Sequence, residues 1–197
     1  MFVRELRQKG YGDRVRVREL LARHTSFGIG GPADIFVVVQ KADELIECVR
    51  MALLDGMPFL VLGKGTNVLM ADAGVRGLVL ANACREFSID KDGLLTARSG
   101  LLLSRLARWS VKRGWAGLEW AVGIPGTLGA AVVAGAGAYG GDMAGTVRWA
   151  RILNSEGAVE CLDNEALEYG YRASCFKNGK GRELHHVVLE VALQLAP

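Results

Sequence analysis

Cysteine is sparse and unpatterned in this chain of 197 residues. Cys48, Cys84, Cys161 and Cys175 lie 36, 77 and 14 positions apart, with no C-x-x-C pair and no zinc-ligand spacing. Four reduced, buried thiols are expected, and no metal site. The N-terminal Met-Phe-Val-Arg-Glu-Leu is not followed by an apolar segment and a small-residue cleavage site, so no secretory signal is read and a cytoplasmic protein is expected. A surplus of one charge is also missing. Net charge is +3; residues 1–24 hold seven Arg or Lys against Glu5, Asp13 and Glu19, and the remainder holds 17 basic and 18 acidic residues. A nucleic-acid binder would spread its basic surplus over the folded part with aromatics interleaved, so none is expected as a partner. One uncharged stretch, 120–141, is long enough to cross a bilayer, but it contains Pro125 and seven glycines and only five branched aliphatic residues. Its apolarity is mostly absence of side chain, and no membrane association is expected. Internal repeats and low-complexity linkers are absent.

What is present is a large apolar fraction and an excess of glycine. Half the residues are hydrophobic and 23% are charged, enough to build a core without staples and to exclude disorder. Glycine occurs 26 times, well above the usual usage of about 7%. Without a G-X-Y period, that excess points to tight turns or close approach of backbone to a ligand.

The order of elements reads as α+β in two lobes. After a charged amphipathic lead-in over 1–24, Ile35 to Val39 is an apolar run of strand length. Leu45, Ile46, Val49, Ala52 and Leu53 share a helical face, with Asp43 near its start and Gly56 at its C-terminal cap. Phe59 to Leu62 repeats the strand pattern, completing a βαβ-like unit that ends at Gly63-Lys64-Gly65-Thr66-Asn67. Short strands follow over 77–80, 86–90 and 94–98, the last two joined by an Asp92-Gly93 turn. A helix from Leu102 stops at Gly114. Beyond the Gly-rich 120s and 130s, strands return over 147–153, 158–162 and 187–195.

Three nucleotide-binding readings compete for the glycine-rich segments. Gly63-Lys64-Gly65-Thr66 is not a P-loop, because Lys64 precedes the glycine it should follow. Gly135-Ala136-Gly137-Ala138-Tyr139-Gly140 matches G-x-G-x-x-G, with Glu160 20 residues beyond. A Rossmann-type NAD(P) oxidoreductase would need a strand before that motif and a helix after it, whereas 127–134 looks helical. In the third reading, two loops from different lobes face one extended dinucleotide. Gly63, Gly65, Thr66 and Asn67 offer successive N–H groups as an anion nest, and Gly123-Ile124-Pro125-Gly126-Thr127 offers another at the start of a short helix. Taken alone, either loop reads more readily as a tight turn.

In order and spacing, these segments resemble the MurB family of UDP-N-acetylenolpyruvoylglucosamine reductases. The resemblance rests on His24-Thr25-Ser26-Phe27-Gly28-Ile29-Gly30-Gly31-Pro32-Ala33, the stretch 61–69 around Gly63-Lys64-Gly65-Thr66-Asn67, the stretch 117–129 around Gly123-Ile124-Pro125-Gly126-Thr127, Gly137-Ala138-Tyr139-Gly140, and Tyr171-Arg172-Ala173-Ser174-Cys175-Phe176-Lys177. It implies a two-lobed FAD-binding domain of the PCMH or vanillyl-alcohol oxidase type over 25–197, with lobe one near 25–82, lobe two near 83–197 and the flavin between them.

The resemblance further implies FAD held noncovalently, its pyrophosphate on Gly63 to Asn67 and the loop Gly123 to Thr127 also facing it; neither loop contains a His or Cys for covalent attachment. NADPH would be the hydride donor and a UDP-sugar enolpyruvyl ether the small-molecule substrate, with Arg172 as the active-site arginine. The family also has a substrate domain with a Ser proton donor and a Glu, expected to be missing here, and Ser174 is not that donor. Where the family commonly has Asn, this chain has Gly135. Of the adjacent His185 and His186, at most one can face a site from a strand. Two rivals remain open: a noncatalytic flavin- or nucleotide-binding module, and the Rossmann-type oxidoreductase.

Overall fold

A computed structural model describes residues 1–177 and 186–197, and the chain divides into two compact units, Met1–Ala83 and Cys84–Pro197. Among the described residues no helix is long and apolar enough to cross a membrane.

In the first unit α1 (Phe2–Leu6) leads to β1 (Val15–Leu20), β2 (Pro32–Val39), α2 (Ala42–Leu54), β3 (Phe59–Leu62) and β4 (Val75–Asn82). The sheet order is β1-β2-β4-β3, with β4 parallel to both neighbours and β1 antiparallel to β2. The β-branched run of β2 therefore lies inside the sheet, where Phe36, Val37 and Val39 are fully buried. β3 lies at the edge, and its carboxyl end opens directly into Gly63.

The helical face of α2 is Leu45, Cys48, Val49 and Ala52, all fully buried, the i, i+3, i+4, i+7 stripe that covers a sheet. The Glu44 carboxylate accepts from the Gln40 and Lys41 N–H groups at the helix start, and Gly56, at φ +60°, follows its last turn.

Residues 1–24 are more than a lead-in, since they supply β1 and are tied to α2 by polar contacts. Arg14 grips Glu44 through two bonds of 2.7 and 3.0 Å. The Tyr11 hydroxyl donates to Glu47 at 2.7 Å, and Lys9 pairs with the other Glu47 oxygen at 2.8 Å. Burial and its hydrogen bonds to Cys48 and Glu47 push the Tyr11 phenol well above its usual range.

The second unit holds β5 (Phe87–Ile89), β6 (Leu94–Arg98), α3 (Leu103–Val111), α4 (Leu128–Ala134), β7 (Gly137–Ala138), β8 (Gly141–Asp142), α5 (Met143–Thr146), β9 (Val147–Leu153), β10 (Val159–Asp163) and β11 (Val187–Gln194). Five strands form an antiparallel sheet in the order β10-β9-β11-β6-β5. Asp90 Oδ1 accepts from the Asp92 and Leu94 N–H groups and closes the β5–β6 turn. Leu103, Leu106 and Ala107 of α3 and Leu128, Ala131 and Val132 of α4 share one core with Leu95, Ala150, Val191 and Leu193 of the sheet.

The rival Rossmann reading lacks the context it needs, as the helical look of 127–134 suggested, and one expectation, burial of all four thiols, is corrected. The G-x-G-x-x-G segment follows helix α4, and its 137–138 stretch pairs with 141–142 in a small hairpin; the strand-turn-helix that a Rossmann pyrophosphate site requires is absent from it. Among the thiols, Cys48 and Cys84 are buried, Cys175 is half-buried and Cys161 is exposed. Cys161 lies on β10, which has a neighbour on one side only among the described residues.

The pH dependence of stability follows from the α2 carboxylates. Burial opposes ionisation of Glu44, but Arg14 and the Gln40 and Lys41 N–H groups outweigh it and hold the carboxyl below its ordinary 4.5. A lowered native value means stabilisation that is complete above the unfolded value and is lost as pH falls through the native one. Glu44→Gln should therefore melt below wild type at pH 7, and the gap should close on acidification to about pH 3. Thermal melts followed by circular dichroism at both pH values measure the gap; a gap independent of pH contradicts the assignment.

Candidate functional site

The loop after β3 is shaped by its backing. Gly65 is buried at φ +66°, and its carbonyl accepts the Ser26 N–H at 2.9 Å. A Cβ at this position would run into the His24 carbonyl oxygen and approach Thr25 Cα at 3.0 Å. Glycine is thus demanded by the chain's own backbone. On the donor side, the N–H groups of Lys64, Gly65, Thr66 and Asn67 find no acceptor among the described residues. Four consecutive unpaired N–H groups at the carboxyl end of a parallel strand form a concentration of positive dipole suited to an anion. Lys64 and Asn67 are exposed and Thr66 is half-buried.

The second loop, in the other unit, offers less than its sequence suggests. Pro125 has no N–H, and Ile124 donates to the Ala121 carbonyl at 3.1 Å. The first two N–H groups of α4 are already taken, Leu128 donating to Leu101 at 2.8 Å and Gly129 to Ser99 at 2.9 Å. What remains unpaired among the described residues is Gly123, Gly126 and Thr127. The argument from a free helix terminus therefore fails here, while the loop keeps three donors of its own.

Arg172 sits in a tight turn where the Gly170 N–H donates to the Ala173 carbonyl and the Ala173 N–H returns a bond to Gly170, both at 3.1 Å. Its φ of +54° is a costly conformation for a residue with a Cβ. The side chain is exposed and makes no ion pair among the described residues. Next to it, Tyr171 is 96% exposed. Ser174 is fully buried and donates to the Val133 carbonyl at 2.7 Å, so its role is to anchor this turn to α4. Gly135, at φ +54°, abuts the same turn: a Cβ there would strike the Ala173 carbonyl oxygen. His186 packs edge-on against Phe176, and burial lowers its imidazole below the ordinary value. His185 lies outside the described residues. Among the described residues no group of His, Cys, Asp or Glu is placed to hold a metal ion.

Comparison with known proteins places this geometry in a family. Residues 33–162 match the FAD binding domain family. The chain belongs to that family. Its α+β fold is that of an FAD-binding domain. Curated relatives named UDP-N-acetylenolpyruvoylglucosamine reductase include one from Clostridioides difficile, 40% identical over 184 residues, covering 92% of this chain and 58% of the relative. Another, from Bacillus velezensis, is 37% identical over 194 residues and covers 98% and 62%. This FAD-binding domain thus spans less than two thirds of the length of those relatives. The crystal structure of the reductase MurB from Thermus caldophilus superposes with a TM-score of 0.75 at 33% identity, covering 92% of this chain and 63% of that one. An alkyldihydroxyacetonephosphate synthase shares the fold at 17% identity, TM-score 0.71, covering 99% and 40%.

The sequence alone did not mark what backs the first loop. Residues 24–26 lie against Gly65, the Ser26 N–H on its carbonyl at 2.9 Å, and the same segment continues to Gly31, whose N–H donates to the Ala71 carbonyl at 2.9 Å. The adjacent pair Gly30-Gly31 is the available signal, since such pairs often mark close backbone approach.

The two loops should respond differently to a side chain. Gly65→Val must relieve both a positive φ and a backbone collision, and should cost about 2 kcal/mol or more. Gly123 has open space where its Cβ would lie, so Gly123→Val should stay within about 0.5 kcal/mol of wild type. Chemical denaturation of the ligand-free variants measures both, and equal losses would contradict this account of the Gly65 loop.

Proposed function

We propose that this chain is the FAD-holding part of a UDP-N-acetylenolpyruvoylglucosamine reductase, an enzyme of peptidoglycan precursor synthesis. The observation that carries the reading is the row of unpaired N–H groups from Lys64 to Asn67, which fits a pyrophosphate, within a chain that matches the FAD binding domain family. The resemblance to these reductases supports the reaction, with NADPH as hydride donor and the enolpyruvyl ether of UDP-N-acetylglucosamine as acceptor. When bound, FAD supplies the hydride-carrying chemistry between the two.

The residues of this chain then divide the work. Lys64, Gly65, Thr66 and Asn67 hold the pyrophosphate through backbone N–H groups, so the Lys64 charge is an accessory. Gly63 turns the chain out of β3 into that row. In the second unit Gly123, Ile124, Pro125, Gly126 and Thr127 form the other loop assigned to the cofactor, through the donors of Gly123, Gly126 and Thr127. Arg172, exposed and without an ion pair among the described residues, is assigned to the substrate's enolpyruvyl carboxylate, where it stabilises the negative charge that develops as hydride arrives. Backbone strain at that position supports the assignment, because strain of this kind persists where a side chain must be presented in one direction.

The experiment is a binding measurement on the purified chain. Mixed with FAD and passed through a desalting column, it should elute with flavin absorbance, and acid precipitation should release all the flavin to the supernatant. A colourless eluate overturns the reading, and retention of NAD(P) in its place would revive a different dinucleotide. Lys64→Ala should weaken FAD binding less than Gly65→Val does. In a reductase containing this chain, Arg172→Ala should retain FAD and lower kcat about a hundredfold or more.

A further inference from the structure

The wall behind the first loop contains a carboxylate whose burial its surface partners do not explain. Glu19, on β1, is 9% exposed, and a carboxylate withdrawn from water needs donors to match it. It accepts from His24 Nε2 at 3.0 Å and from Arg16 at 3.0 Å, with Arg23 at 3.9 Å. The two arginine side chains are 49% and 68% exposed and could pair with an exposed carboxylate equally well. The histidine could not. Its ring is stacked on Phe36 with centroids 4.2 Å apart and planes at 28°, and Phe36 is fully buried in β2. One face of the imidazole is therefore set by β2, and its Nε2–H edge is set by Glu19.

What this clamp holds is the backbone against which Gly65 is moulded. The His24 carbonyl occupies the space a Gly65 Cβ would take, and the Ser26 N–H binds the Gly65 carbonyl. The turn that follows is closed by the Thr25 hydroxyl donating to Ile29 and by the Gly28 N–H donating to Thr25. From Glu19 to Gly65 the connections are a charged hydrogen bond, a ring stack, one covalent residue and one backbone contact. We infer that Glu19, acting through the His24 ring, is a positioning residue that fixes the direction of the Lys64–Asn67 N–H row. The inference rests on the assignment of that row to the cofactor phosphate, and it gives a catalytically silent carboxylate on β1 control over affinity.

The test compares four variants of the full chain by FAD titration, read by flavin fluorescence, and by the amide resonances of Lys64 to Asn67 without FAD. Glu19→Ala should raise the FAD Kd about tenfold and move those amide resonances before any ligand is added. Glu19→Gln keeps an oxygen that accepts the His24 Nε2–H and should stay within about threefold of wild type. Arg16→Ala removes a surface partner alone and should match wild type. His24→Phe keeps a ring on Phe36 but lacks the donor, and should behave as Glu19→Ala does, which keeps the test decisive if Glu19→Ala folds poorly. Wild-type affinity and wild-type amide positions in Glu19→Ala or His24→Phe would overturn the inference, as would a Glu19→Gln variant as weak as Glu19→Ala. If wild type itself binds no FAD, the cofactor assignment and the positioning role fall together.

Discussion

Close approach of backbone to backbone, at spacings that only glycine permits, is the constraint on which the first unit depends. Residues 22–31 lie along the loops between β3 and β4, and the contacts are main chain on main chain. A Cβ on Gly31 would strike the Asp72 carbonyl, one on Gly74 the Pro32 carbonyl, and one on Gly65 the His24 carbonyl. The carbonyls of Gly65 and Ala71 are bonded to the 24–31 segment, while the N–H groups of Lys64–Asn67 find no acceptor among the described residues. The same packing thus fixes the loop and leaves its donors free, which is how an anion site can be rigid without being filled by the chain itself.

The second unit applies the constraint to a different end. Gly135 ends α4 in the left-handed region and lies against Ala173, while Ser174 donates to the last turn of the same helix. Directly before those contacts stands Arg172, at positive φ and with no ion pair among the described residues. Helix and turn hold the residue by its neighbours, and its side chain is exposed. A side chain at 135 would collide with this turn, so glycine suits the local packing.

Much of the fold was legible in the sequence because its elements are strongly patterned. The run Ile35 to Val39, the α2 stripe, the Asp92-Gly93 hairpin and the α4 segment stand where periodicity and turn residues put them. Less legible was the use of the glycines. Their excess suggests backbone approaching a ligand, yet Gly31, Gly65, Gly74 and Gly135 are required by contacts within the chain, and neither composition nor spacing distinguishes the two demands. The amphipathic 1–24 segment concealed β1, since Val15 is its sole buried apolar residue and its other inward position is the carboxylate Glu19, and an edge strand with one buried face carries little apolar signal. Cys161 broke the expectation of burial for the same reason: it lies on an edge strand. At 123–127 the motif showed the glycines but could not show that Leu101 and Ser99 would reach the helix terminus first.

The central claim is that the Lys64–Asn67 backbone N–H groups hold the cofactor's pyrophosphate. It is tested most directly by following backbone amide resonances of the isotopically labelled chain during titration with FAD. The account predicts that the amides of Lys64, Gly65, Thr66 and Asn67 move downfield as a group and become protected from solvent exchange, with the Lys64→Ala chain giving the same pattern. Saturation by FAD that leaves those four amides unmoved would contradict it.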